Sequence, residues 1–469
     1  MTEMKDELAA MAHAAQIAQD YRRKIAVADR TPTASYSEVH AAFIRALPES
    51  GDDPLAIIAE LACLAEPGLR ASTAPRFYGW VIGNSHLTGV AADWLASAWG
   101  QNAANVSASP AASAVEAVVE GWLLDLLGLP AEASIGFVTG ATVANTVCLA
   151  AGRSELLRRQ GWDVEADGLY GAPELPVLIG ADAHATVFTA LKLLGLGARR
   201  VITVAADDLG RMIPAALGQA LGTLSRPAIV IAQAGQINTG ASDPFMEIAP
   251  LVRAAGGWLH VDGAFGLWAQ ASAKTAVQTA GVELADSWAT DGHKWLQAPY
   301  DSGFAIVRDT AAHQRAMAIS ASYLPPPIGT ERDPSAFVPE LSRRARGFAV
   351  WAVIRRLGRT GITAMIDQCC DVAARIGSQL AEDHGIALVA PVVLNQVLLR
   401  FGADEAADAQ TLAVIEVLQA DAVCYAGASL WRGQWVMRIS VSSIATTLAD
   451  ADLTVDAIRR AWTKVRGQG

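Results

Sequence analysis

The sequence predicts an α/β chain, with a mostly parallel sheet covered by helices, a helical segment ahead of it and a small α+β domain behind it. Three observations predict this. Between about residues 75 and 330, short apolar runs such as LPVLIGA, RRVITVAA, RPAIVIAQAG and GGWLHVDGAFG alternate with helical stretches. That is the pattern of strands buried on both faces by crossover helices. Outside this region the runs give way to longer amphipathic stretches. The chain has 469 residues, 52% hydrophobic and 18% charged, which suffices for a large core.

Residues 1–74 read as helices with a loop around LPESGDDPL. The opening MTEMKDELAAMAHAAQIAQDYRRKIAV is amphipathic and suits an arm laid over a partner. Residues 75–330 carry the strand–helix alternation and form the large domain. The Pro-rich passage YLPPPIGTERDPSAFVPE, Tyr323 to Glu340, is either a linker or a mobile active-site loop. Residues 331–469 form the small domain. There LSRRARGFAVWAVIRRLGRTGITAMIDQCCDVAARIGSQLAEDHG reads as helix, and ALVAPVVLNQVLLRFG and WVMRISVS as strands.

The net charge of -11 argues against nucleic acid or an anionic membrane as the main partner. The five cysteines are scattered, without Cys/His metal-ligand spacing, which suits a reducing cytoplasm and no structural metal. The N-terminus lacks a signal-peptide pattern, and no apolar run reaches spanning length, so the expectation is a cytoplasmic protein without a membrane partner.

In parallel sheets, ligands bind beyond the carboxyl ends of the strands. In IGFVTGATVANTVCLAAGR an apolar run meets Thr139-Gly140-Ala141-Thr142 and then a helical stretch. Such a turn points backbone N–H groups and the positive end of a helix dipole at one spot, a site for phosphate. VLIGADAHATVFTALKLLG places His184 between a strand and a helix. WLHVDGAFG ends a buried strand on Asp262, followed by the small Gly263 and Ala264. A buried carboxylate is costly unless it meets a cation or strong hydrogen bonds, and small neighbours leave room for something flat. SWATDGHKWLQAPYDSG then sets Lys294 beside His293, just ahead of Trp295 and Leu296. Together these supply a phosphate cradle, an aromatic stacker, a carboxylate for a ring nitrogen and a lysine amine, the parts that hold pyridoxal 5'-phosphate.

The ordered set SASPAASAVEAVVEGWLLDLLGLP, TGATVANT, ADAHATV, GQINTGASDP, HVDGAFG, ADSWATDGHKW and PELSRRARG resembles the group II pyridoxal-phosphate-dependent decarboxylases. These include the aromatic-L-amino-acid, glutamate and histidine decarboxylases. The resemblance runs from about Phe77 into the C-terminal domain. It implies a fold type I enzyme with a seven-stranded, mostly parallel sheet, acting as a homodimer with its site at the interface. It also implies roles: Lys294 joins the cofactor, Asp262 faces the ring nitrogen, and His184 and Ala264 lie on the two ring faces. Ala141, Thr142 and His293 match phosphate contacts.

Phe77 and Trp80, in APRFYGWVIGN, match the substrate pocket, and Trp80 favours aromatic or bulky apolar side chains. Arg438, in WVMRISVS, matches an arginine of the C-terminal domain and is assigned to the substrate.

Three positions depart from the family pattern. Asp291 falls where an asparagine commonly helps hold phosphate, and an ionised aspartate repels a dianion unless it points away or is bridged by a donor. Ile237 stands near a cofactor-hydroxyl contact that it cannot make, leaving Gln236 or Asn238 for it. No tyrosine stands near Pro334, where animal relatives carry a proton donor, and Tyr323 lies well upstream. Two products therefore stay open for a decarboxylase: the amine, or an aldehyde if oxygen captures the carbanion. Another carbon–carbon lyase of the same fold is the remaining alternative. A degenerate scaffold would have lost Lys294, Asp262 or His184, and all three are present.

Overall fold

The computed structural model describes residues 2–27, 31–318 and 331–467. The large sheet contains β1 (Ser134–Val138), β2 (Val177–Gly180), β3 (Ile202–Val204), β4 (Ile229–Gln233), β5 (Trp258–Asp262), β6 (Ser287–Asp291) and β7 (Gly303–Val307). Their order is β1-β7-β6-β5-β4-β2-β3. Only β7 runs against its neighbours, β1 and β6; the other pairs are parallel. The expected mostly parallel seven-stranded sheet is present.

Alternation within the apolar runs explains the layers. Phe137, Leu178, Val230 and Val261 join one buried cluster, whereas Val138, Ile179, Ile229 and Ile231 join the other. Successive residues thus serve opposite faces of the sheet, so both faces need apolar cover. The Ala141–Arg159 helix covers one face through Ala144, Val147, Cys148 and Ala151. On the other face, Leu123, Phe245, Ile248 and Val350 share the cluster of Phe137 and Val261.

The smaller sheet, with order β10-β11-β9-β8, joins β8 (Ile386–Leu388), β9 (Gln396–Phe401), β10 (Gly427–Trp431) and β11 (Gln434–Ser440), all antiparallel. β10 was not expected. Its residues are mostly half-exposed or exposed, so GASLW carries little apolar signal. Its turn to β11 is Arg432-Gly433, both at positive φ, as a two-residue hairpin of this kind requires.

At the N-terminus, helices span Thr2–Val27, Tyr36–Phe43 and Pro54–Ala65. Caps define the short ones: Ser35 and Glu38 form a capping box, and Asp53 precedes Pro54 at the first helical position. Neither short helix buries a residue, and Met4, Leu8 and Met11 on the long one are exposed.

Tyr323 and the rest of 319–330 lie outside the described residues. The motif after them is fixed by ion pairs. Arg343 makes two bonds of 2.7 and 2.8 Å to the buried Glu116, and Arg346 holds Asp301 at 2.7 Å. Among the described residues no helix is long and apolar enough to cross a membrane.

Candidate active site

β1, β4, β5 and β6 point the same way, so their carboxyl ends share one edge of the sheet. A cavity of about 360 Å³ opens there. It is lined by Ala141, Thr142, His184, Asp262, Ala264, Asp291, His293 and Lys294. The structure thus brings together every residue that the sequence assigned to the cofactor.

The turn after β1 approaches the start of β7 so closely that glycine is needed. A Cβ on Gly303 would lie 2.5 Å from the Gly140 Cα, and one on Gly140 would lie 3.1 Å from His293 Cε1. Gly140 opens the Ala141–Arg159 helix without a side-chain cap. First-turn N–H groups have no partner within a helix, and Thr142 and Val143 both line the cavity.

Asp291 answers the question its identity raised. Its Oδ1 accepts the Ala141 N–H at 2.6 Å, and its Oδ2 lies 3.2 Å from Lys294 Nζ. The carboxylate is bridged by donors. His293 accepts the Ser302 N–H on Nδ1 at 3.1 Å, so a neutral ring carries its proton on Nε2, which lies 3.6 Å from Asp291. Its ring packs 4.4 Å from that of Tyr300, and burial pushes its pKa down.

The apolar pair after Lys294 has a structural task. Trp295 and Leu296 are fully buried, and Gln297 accepts the Ile444 N–H at 3.2 Å from a left-handed backbone position. The lysine amine therefore rises from a fixed turn.

Asp262 is buried at the end of β5 and accepts from the Ala264 N–H at 3.2 Å and from Asn145 Nδ2 at 3.3 Å. Burial pushes its carboxyl up from the ordinary value, while His184, Lys294 and these two donors oppose that. His184 caps the Ala185–Leu193 helix, with Nδ1 2.7 Å from Thr186 Oγ1. It keeps an exposed side, yet desolvation by the cavity wall lowers its pKa, with Asp262 opposing.

Phe77 and Trp80 do not line this cavity. They form an aromatic ledge with Tyr425, whose ring stacks on Phe77 at 4.9 Å and lies 5.3 Å from Trp80. Trp80 remains 51% exposed. Arg438 on β11 also lies off the cavity lining, yet its charge is close enough to lower the His184 pKa. It makes no ion pair among the described residues.

The hydroxyl contact proposed for Gln236 or Asn238 needs correction. Gln236 Oε1 accepts the Asn238 and Thr239 N–H groups, and Asn238 Oδ1 accepts from Ser429 at 2.7 Å. Their oxygens are committed, that of Gln236 within its own turn and that of Asn238 to β10, and Ile237 lines the cavity instead.

Sequence reasoning missed Gln233, Tyr300, Ile82 and Asn145. Tyr300 stood in the quoted QAPYDSG stretch, and its phenol donates to the Ile82 carbonyl at 3.2 Å. Asn145 offered no signal, being one polar residue in a small-residue helix.

Comparison with known proteins gives a consistent result. The family model described as "Pyridoxal-dependent decarboxylase conserved domain" matches residues 38–401. An aromatic-L-amino-acid decarboxylase of Bacillus atrophaeus is 29% identical over 373 residues, covering 78% of this chain and 75% of the relative. An L-2,4-diaminobutyrate decarboxylase of Rhizobium meliloti (strain 1021) is 32% identical over 353 residues, covering 72% of this chain and 69% of the relative. A crystal structure of the Oryza sativa TDC with PLP and tryptamine superposes with a TM-score of 0.91 at 23% identity, covering 98% of each chain.

Proposed function

Because the chain belongs to the pyridoxal-dependent decarboxylase family and is a pyridoxal-phosphate-dependent amino-acid decarboxylase, we propose that its substrate is an aromatic or bulky apolar L-amino acid and its product the amine. The observation that carries the cofactor assignment is the meeting of Lys294, Asp262, His184 and the start of the Ala141–Arg159 helix in one cavity.

The residues fit the cofactor. A side chain on Gly140 would fill the cradle against His293, and Ala264 leaves a low floor beside Asp262. When bound, pyridoxal 5'-phosphate supplies an aldehyde for amines and a pyridinium ring that draws electrons from the bond being broken. In this reading the Thr142 and Val143 N–H groups and His293 Nε2–H hold the phosphate. Lys294 supplies the amine that anchors the cofactor. Asp262, as a carboxylate, holds a proton at the ring nitrogen. His184 and Ala264 confine the ring between them. Arg438, which pairs with no carboxylate among the described residues, orients the substrate carboxylate.

Substrate choice rests on the aromatic ledge and on the aromatic-substrate relative. Phe77, Trp80 and Tyr425 present an apolar wall away from their own cavity. In a homodimer that wall serves the site of the second copy. Exposed Met4, Leu8 and Met11 on the first helix, and Trp94, Leu95 and Trp99 beyond it, suit the same dimer. The diaminobutyrate relative marks the competing polar substrate class. The five cysteines are all unpaired, which supports a reducing cytoplasm.

The amine is the favoured product. His184 keeps an exposed side and is bonded only through Nδ1 among the described residues, so it or water could deliver the proton that replaces the lost carboxylate. The test is to supply the purified holoenzyme with single amino acids and measure carbon dioxide, amine, aldehyde and peroxide together. Amine and carbon dioxide in equal amounts from an aromatic substrate are expected. Preference for diaminobutyrate or glutamate overturns the substrate reading, and stoichiometric peroxide with little amine overturns the product reading.

A further inference from the structure

Behind Asp262 lies a run of buried polar groups that the reaction has not yet used. Asn145 Nδ2 lies 3.3 Å from Asp262 Oδ2. Asn145 Oδ1 lies 2.8 Å from His260 Nε2, and His260 Nδ1 lies 2.9 Å from Ser287 Oγ. Trp258 Nε1 closes the run, 2.9 Å from the same hydroxyl. Asn145, His260 and Ser287 are all fully buried, and Trp258 nearly so.

Their directions follow once Asp262 is a carboxylate, the state in which it pairs with a protonated ring nitrogen. An ionised carboxylate only accepts, so Asn145 must turn its NH₂ toward Asp262 and its oxygen toward His260. That oxygen needs a donor, so the His260 proton sits on Nε2. His260 Nδ1 is then an acceptor and must take the Ser287 hydroxyl proton. Trp258 can only donate, and it donates to Ser287. Every link therefore donates toward Asp262. Burial holds the His260 pKa at about 3, so the imidazole is neutral and the chain carries polarity without adding a charge.

We propose that Trp258, Ser287, His260 and Asn145 form a one-directional hydrogen-bond chain that keeps Asp262 a carboxylate, and so keeps the cofactor ring nitrogen protonated. The proposal rests on Asp262 being the partner of that nitrogen. Asp262 needs such help, because burial favours its neutral acid form. The other groups that act on it come from different elements: His184 and Lys294 favour the anion. The buried Cys148 thiol, one helical turn beyond Asn145, is held protonated by burial and supplies no charge. Aligned hydrogen bonds polarise one another, so breaking a distant link weakens the last one.

The proton has two resting places. With the chain intact it stays on the ring nitrogen and Asp262 is anionic. With the chain broken the carboxyl holds it more tightly, and the pair moves toward a neutral acid beside an unprotonated nitrogen. No atom is gained or lost. His260 and Asn145 are thus positioning residues for a charge.

The experiment uses holoenzyme reconstituted with pyridoxal phosphate carrying ¹⁵N in its ring. The nitrogen resonance reports protonation directly and needs no turnover. In the unmodified protein it should sit at the pyridinium position across neutral pH. In His260→Phe and Ser287→Ala it should move toward the unprotonated position, with its titration displaced by about one pH unit, the size expected for weakening one hydrogen bond to a charge. kcat should fall about tenfold, while KM stays nearly constant. Ser287→Ala deletes a single heavy atom and carries the test if His260→Phe does not fold. A resonance and titration unchanged in folded Ser287→Ala, with Asp262→Asn moving both, overturns the chain alone. If Asp262→Asn also leaves them unchanged, the Asp262 assignment falls and the chain with it.

Discussion

Adding one methyl group at Gly303 should disable the phosphate cradle without touching a side chain of the site. The β carbon of Gly303→Ala would lie 2.5, 2.7 and 2.8 Å from the Gly140 Cα, C and N atoms. All three belong to backbone, so no side chain can swing aside. The start of β7 must then part from the turn that opens the Ala141–Arg159 helix. Overpacking of this kind costs about 1–3 kcal/mol. If that strain is relieved by displacing the turn, the loss appears in cofactor binding as a roughly 5- to 150-fold weaker Kd. Titrating pyridoxal phosphate into cofactor-free protein and following its absorbance measures this. Gly121→Ala is the control, because Gly121 lies inside the Pro110–Leu126 helix with open space around it. It should leave the Kd unchanged and stabilise the fold by about 0.5–1 kcal/mol. Normal affinity and normal stability in Gly303→Ala would refute the close-approach argument.

Four further outcomes are expected. Asp291→Asn keeps an oxygen for the Ala141 N–H but removes a negative charge from the phosphate end, so pyridoxal phosphate should bind about tenfold tighter; weaker binding would mean that the charge facing Lys294 matters more. Asp262→Asn should cost far more in kcat than in cofactor affinity, and near-normal turnover would count against its role. Trp80→Gln should raise KM for aromatic substrates and leave cofactor binding intact, with equal loss of both arguing for a packing role. Acid should destabilise the fold through His260 and His313, both fully buried with pKa values held at about 3 by burial. Between pH 3 and about 6.5 the unfolded chain binds protons that the folded chain does not, so stability rises with pH across that window. The loss is about 2 kcal/mol per imidazole at pH 5, and a melting temperature that does not fall between pH 7 and pH 5 would contradict it.

The sequence made the strand ends legible because each feature there is local. WLHVDGAFG shows a strand ending on Asp262, and DGHKW shows Lys294 next to the strand that carries Asp291. Long-range contacts left no such mark. His260 sits inside an apolar strand, and its partners Asn145 and Ser287 lie 115 and 27 residues away. Only the sheet register brings them together. The ledge was legible only in part. APRFYGWVIGN names the aromatic residues, but Phe77 bridges to Tyr425, from a distant segment, and this turns Trp80 outward. The antiparallel β7 was also hidden, since GFAIV is as uniformly buried as its parallel neighbours.

The central claim is that Lys294 anchors the cofactor. Borohydride reduction of the holoenzyme, followed by proteolysis and mass spectrometry, tests it most directly, because reduction fixes the cofactor to whichever lysine holds it. One modified peptide, carrying the pyridoxyl phosphate mass on Lys294, is expected, with no cofactor fixed in Lys294→Ala. Label on another lysine of the unmodified protein, or undiminished label in Lys294→Ala, would contradict it.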